Sequence, residues 1–229
     1  MKKFYLTTPL YYVNDEPHLG HAYTTILADV ISRYRKMMGD DVFLLTGTDE
    51  HGQKVQQAAE KRGVEPFVHV DEFVQRYEKI WEKLNIDYSD FIRTTEKRHT
   101  DRVKELLNFL WEKGDIYQDE YEGLYSVSEE RFITEKEAEE GEFREIKKIK
   151  EKNYFFRMSN YQDALVNHIN ENQDFILPKK RKNEVLGFLK QPLNDLCISR
   201  PKSRLAWGIE IPFDTDYVTY VWFDALLNY

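Results

Sequence analysis

With 229 residues, 41% hydrophobic and 32% charged, the chain suits one large or two modest globular domains and is too apolar for a disordered tail. Its one cysteine, Cys197, excludes an internal disulfide framework and a zinc knuckle of paired cysteines from this chain, and fits a reducing compartment. A net charge of -8 argues against a body-wide basic field for nucleic acid, and no apolar run reaches the roughly 20 residues that cross a bilayer.

Phe4 to Leu6 is a short apolar run stopped by Thr7, Thr8 and Pro9, which predicts a buried first strand. After the turn residues Asn14 to Pro17, apolar side chains recur at helical spacing from His21 to Met38, with Gly39 as a stop. Val42 to Leu45 predicts a short buried parallel strand. Strand, helix and strand in this order open a βαβ unit, so the fold class is α/β with a Rossmann-like parallel sheet. Helices are predicted over Val55 to Arg62, from Pro66 to Leu84 and over Asp101 to Trp111.

At about Tyr117 the composition turns strongly charged, and Tyr154 to Met158 alternates like a strand. We divide the chain into a first half of the sheet domain at 1–116, an insert at 117–174 and a return to the sheet domain at 175–229. Tyr161 to Asn170 and Lys182 to Leu189 are helix candidates, and Asp195 to Ser199 predicts a buried strand. Tyr217 to Trp222 predicts a last strand, with Asp224 as the N-cap of a helix starting at Ala225.

Three clusters carry chemistry. In Pro17-His18-Leu19-Gly20-His21, at a helix start, free N–H groups favour an anion and two imidazoles can follow charge onto phosphoryl oxygens. The same pair also suits a plain helix cap. Thr46 to Gly52 stands at the carboxyl end of the second strand, where open α/β sheets bind ligands. There Asp49 could pair with an ammonium group or merely cap a helix, and a metal held by His51 with Asp49 and Glu50 is the weaker idea. Trp222, Ala225 and Tyr229 offer aromatic walls around a small residue, suited to a thioether, although core packing is the commoner use of such spacing. Lys179 to Lys182 reads as a solvated basic face.

Together these segments resemble the bacterial methionyl enzymes of the class I aminoacyl-tRNA synthetases over essentially all of the chain. TTPLYYVNDEPHLGHAYTTILADV is similar to the family's first strand and HIGH signature, with Leu19 for the usual Ile. FLLTGTDEHGQK, SRPKSRLAWGIEIP and YVWFDALLNY each resemble further family signatures, Leu226 standing where some members have Pro.

The resemblance implies activation of L-methionine by ATP, with Mg2+ accompanying the nucleotide, and transfer of the methionyl group to tRNA(Met) in the cytoplasm without membrane contact. It implies that His18 and His21 act on the phosphorus transition state and that Gly20 lets adenine lie close. Asp49 would hold the methionine ammonium group, with Leu10, Tyr12, Trp222, Ala225 and Tyr229 around the side chain. The insert matches the family's connective peptide, and the absence of cysteines in Tyr125 to Glu129 predicts a zinc-free module. The KMSKS loop and the anticodon-reading helical domain are expected beyond Tyr229, in a longer enzyme. Two other readings are another HxGH nucleotidyltransferase and a noncatalytic module that kept the fold.

Overall fold

The computed structural model describes residues 1–126, 131–133, 138–139, 141, 143 and 145–229. In chain order the elements begin with β1 (Lys3–Thr7), β2 (Tyr11–Tyr12), α1 (Leu19–Met37), β3 (Asp41–Asp49), α2 (Gln53–Arg62), α3 (Pro66–Lys83), β4 (Asp90–Arg93) and α4 (Lys97–Glu112). There follow β5 (Ile116–Ser126), β6 (Arg131–Ile133), β7 (Ile146–Phe156), α5 (Gln162–Glu171), α6 (Lys179–Phe188), β8 (Leu196–Cys197), β9 (Ser199–Pro201), β10 (Glu210–Ile211), β11 (Asp214–Thr219) and α7 (Val221–Ala225). Two compact units result, one of Met1–Leu107 with Arg200–Tyr229, the other of Asn108–Ser199.

The first unit is built on β3, with β1, β2 and β4 all parallel to it. β1 and β4 both pair at Leu45, and β2 and β4 both pair at Thr48, so β4 occupies one edge of β3 and β1 and β2 share the other. The strand predicted at Val42 to Leu45 runs on to Asp49 because its polar end is satisfied internally. Thr46 and Thr8 share a hydroxyl hydrogen bond of 2.8 Å, and the Thr48 hydroxyl donates to Glu50 Oε1 at 2.6 Å. Gly47 is set by the neighbouring strand, since a Cβ there would stand 2.0 Å from the Ile92 carbonyl oxygen. β2 and β4 escape sequence reading because one has two residues and the other buries only Ile92. The core beside the sheet packs Tyr11 and Val13 against Val55, Val70, Phe73, Val74, Tyr77 and Trp81.

The second unit holds an antiparallel sheet in the order β6-β5-β7-β8. Two expectations are corrected here. Asp195 to Ser199 does not return to the parallel sheet: Leu196 and Cys197 pair antiparallel with Phe156 and Phe155, and Cys197 is half-buried. Lys182 is buried rather than solvated, its ammonium donating to the Ile169 carbonyl at 2.9 Å and Gln173 Oε1 at 3.0 Å, while its neighbours Lys179 to Arg181 are exposed. Within Tyr125 to Glu129, where zinc was expected to be absent, Val127 to Glu129 lie outside the described residues.

A third correction concerns the end of the first unit. The last strand is β11, and the helix begins at Val221 with Tyr220 as its N-cap, so Asp224 lies inside α7 instead of capping it. Its carboxylate is turned into the interior, where two histidines hold it.

Candidate active site

α1 starts on a reciprocal cap made by two histidines. His18 is the N-cap, and its Nδ1 accepts the Gly20 N–H at 3.0 Å, while His21 Nδ1 accepts the His18 N–H at 3.2 Å. Two orphan donors of the helix start are thereby satisfied. A ring nitrogen that accepts carries no hydrogen, so each neutral ring keeps its hydrogen on Nε2. The rings stack with centroids 3.6 Å apart. Burial, and then the neighbouring His18, lower the pKa of His21 and favour that uncharged form.

Gly20 has a local reason to be glycine. A Cβ at this position would come within 2.9 Å of His18 Cε1 and 3.0 Å of His18 Nδ1, so a side chain here would push the capping His18 ring aside. The cap and the phosphate-site readings of this motif are therefore compatible: Nδ1 serves the cap and Nε2 is left for a ligand.

Leu10, Tyr12, His18 and His21 line one cavity of about 360 Å³, together with Tyr77 and the acidic Asp15 and Glu16. Tyr77 is a member that sequence reading assigned only to the helix core. Its hydroxyl donates to the Tyr12 carbonyl at 3.0 Å and lies 3.4 Å from His21 Nδ1, and burial raises its pKa. Tyr11 was missed as well; its ring packs 4.8 Å from His21 and its hydroxyl shares a 2.8 Å hydrogen bond with Thr25. Neither is marked locally as a site residue: Tyr77 sits at the apolar spacing of α3 and Tyr11 in a run of aromatic residues.

Asp49, Trp222, Ala225 and Tyr229 are not among the residues lining that cavity. Asp49 ends β3 as the register partner of Tyr12 and is buried. Tyr229 reaches the same corner: its hydroxyl accepts the Leu10 N–H at 2.7 Å, and its pKa is raised by burial and also by the Asp49 charge. Ala225 is buried and Trp222 is exposed. The idea of a metal held by Asp49, Glu50 and His51 fails on geometry. Glu50 is taken by Arg93 at 2.8 Å and by the hydroxyls of Thr48 and Thr95, each at 2.6 Å, and His51 is taken by Asp224. Among the described residues no group of three His, Cys, Asp or Glu side chains could hold an ion, and no helix is long and apolar enough to cross a membrane.

The family described as tRNA synthetases class I (M) matches residues 4–142 and 140–229. The chain belongs to this family. The match through the last 90 or so positions takes in the YVWFDA segment, which a general HxGH nucleotidyltransferase leaves unexplained. Among relatives of this synthetase-family chain, the methionine–tRNA ligase of Fusobacterium nucleatum subsp. nucleatum is 51% identical over all of the chain, and that of Listeria monocytogenes is 47% identical over 99% of it. The chain spans about 36% of the length of either. The Mycobacterium tuberculosis methionyl-tRNA synthetase in complex with methionyl-adenylate has a TM-score of 0.93 at 43% identity, over the whole of this chain and 46% of that one.

Proposed function

We propose that the chain carries the methionine- and ATP-binding site of a methionine–tRNA ligase, which forms methionyl-adenylate and passes the methionyl group to tRNA(Met) in the cytoplasm. The observation that carries the reading is the pair of stacked imidazoles at the start of α1, both tied through Nδ1 and both lining the cavity that Leu10 and Tyr12 share. The names of the relatives and of the adenylate-bound neighbour support it.

In this reading a methionine carboxylate oxygen attacks the α-phosphorus of ATP, and the bond from that phosphorus to the bridging oxygen of pyrophosphate breaks. The Nε2 hydrogens of His18 and His21 meet the phosphoryl oxygens as charge collects on them, and bonds that strengthen in the transition state are the ones that accelerate the step. Their tautomers need no reorganisation, because backbone N–H groups already fix Nδ1. Gly20 leaves room for adenine, Asp49 pairs with the methionine ammonium group, and Leu10, Tyr12, Trp222, Ala225 and Tyr229 surround the thioether. Mg2+ bound with ATP would neutralise phosphate charge. The stretch 117–174 is a zinc-free connective peptide.

Calorimetry with methionine and a non-hydrolysable ATP analogue tests the assignment. Both ligands should bind saturably, and Asp49→Ala should weaken methionine by at least about tenfold, as expected for loss of a charge-assisted contact, while sparing the analogue. A chain that binds neither ligand would be the noncatalytic module.

A further inference from the structure

Three buried side chains distant in sequence meet in the first unit outside the cavity at the helix start. Asp224, fully buried in α7, has one carboxylate oxygen facing each of two imidazoles: Oδ2 accepts from His51 Nδ1 at 2.6 Å, and Oδ1 accepts from His99 Nε2. Both histidines are buried too. An ionised carboxylate only accepts, so each facing ring nitrogen is a donor. Burial alone would raise the carboxyl pKa, yet His51 and then His99 outweigh it and hold the group below the usual carboxylate range. The His51 ring also packs against Trp207, with ring centroids 5.4 Å apart, and the Trp207 indole N–H donates to the Glu50 carbonyl at 2.6 Å.

The element so held is short. α7 has five residues, and an isolated helix of that length has no stability of its own. Apolar burial of Val221, Phe223 and Ala225 presses it down, but apolar burial is non-directional and leaves rotation about the helix axis weakly defined. Two hydrogen bonds to opposite oxygens of one carboxylate define that rotation. The chain then continues to Tyr229, whose hydroxyl meets the Leu10 N–H.

We propose that Asp224, clamped between His51 and His99, is a positioning residue for the methionine side-chain wall: it fixes the helix bearing Trp222 and Ala225 and the segment that delivers Tyr229 to Leu10. The proposal rests on the methionine reading given above. Because Asp224 acts through the wall, its loss should fall on methionine and leave the nucleotide at His18 and His21 unaffected.

The test uses the donor atoms. A Gln amide nitrogen reaches about as far as His Nε2, and an Asn amide nitrogen about as far as His Nδ1. His99→Leu and His51→Leu should each weaken methionine binding by about tenfold with ATP-analogue affinity within about twofold of the parent, the loss expected for one charge-assisted hydrogen bond. His99→Gln and His51→Asn should restore methionine affinity to within about threefold. A general loss of fold would lower both affinities together and would not be rescued, and that result overturns the proposal, as does unchanged methionine affinity in the Leu variants. Hydrogen exchange supplies a ligand-free arm: amides of 221–228 should exchange faster in the Leu variants while those of α1 do not. If the parent chain binds no methionine, the functional reading falls and this arm alone decides whether the clamp exists; equal exchange at 221–228 in parent and variants removes it.

Discussion

The two units reach the same end, a sheet, by opposite means. In the first, β3 is parallel to all three of its partners, is buried from Leu44 onward, and ends in polar residues, of which Thr46 bonds to Thr8 and Thr48 to Glu50. In the second, β5 and β7 run antiparallel over 11 register pairs, with carboxylates facing lysines: Glu120 pairs Lys152 and Glu122 pairs Lys150 in register, while ion pairs run diagonally from Lys148 to Glu122 at 2.9 Å and from Lys150 to Glu120 at 3.2 Å. A sheet that excludes water makes each polar group costly to leave unmatched, whereas a sheet whose charges stay in solvent can lose them at little cost. In the first kind, Thr46 and Thr48 are tied down by internal hydrogen bonds, and the same dry strand end carries the buried Asp49 beside Tyr12.

Breaking the dry side should have the largest effect. Arg93→Met leaves the fully buried Glu50 without its cation, so exchange of the β3 amides in urea should report a loss of about 3 to 5 kcal/mol, the range for one partner removed from a buried pair. Glu50→Gln combined with Arg93→Met removes the stranded charge, keeps hydrogen bonds to Thr48 and Thr95, and should recover most of that loss. Gly47→Ala comes next. Its methyl group would collide with the Ile92 backbone rather than with a flexible tip, and about 2 to 3 kcal/mol of overpacking is expected by the same measurement.

Acid should separate the units on a smaller scale. In the first unit, His69 is buried, its Nε2 lies 2.9 Å from the Val13 carbonyl, and burial followed by the Arg62 charge lowers its pKa despite that bond. A depressed folded value means that the unfolded chain takes up the proton first. The contribution is therefore complete above the ordinary histidine value of about 6.5 and declines as pH falls below it. Thermal melts between pH 7.5 and 5.5 should show stability falling toward the acid end, and His69→Gln should flatten that dependence. The smallest effect belongs to the wet sheet: Lys148→Ala and Lys150→Ala should each cost roughly 0.5 kcal/mol at low salt and almost nothing in molar salt, read from exchange of the β5 and β7 amides.

The same contrast explains what could be read from the chain before its structure. α1, α2 and α3 were legible within one or two residues, because apolar spacing and the stops at Gly39 and Gly63 are local signals. β5 was not legible, since cross-strand charge replaces the apolar alternation that marks a half-buried strand. In the site, the His18 and His21 pair was visible as a motif. Tyr77 was hidden because a tyrosine on a helical apolar face looks like core until its hydroxyl is seen against Tyr12 and His21.

By itself the sequence determined the α/β class, the helix start with its two histidines, and the kinship carried by four ordered segments, all of which depend on residues close along the chain. Tertiary structure decided that Tyr77 joins the two histidines at one cavity, why Gly47 bears no side chain, and that Asp224 serves two histidines 173 and 125 residues away instead of capping its own helix. Periodicity and caps are nearest-neighbour physics. The partner of a buried carboxylate is fixed only when distant elements pack, because satisfying its charge outweighs any local preference.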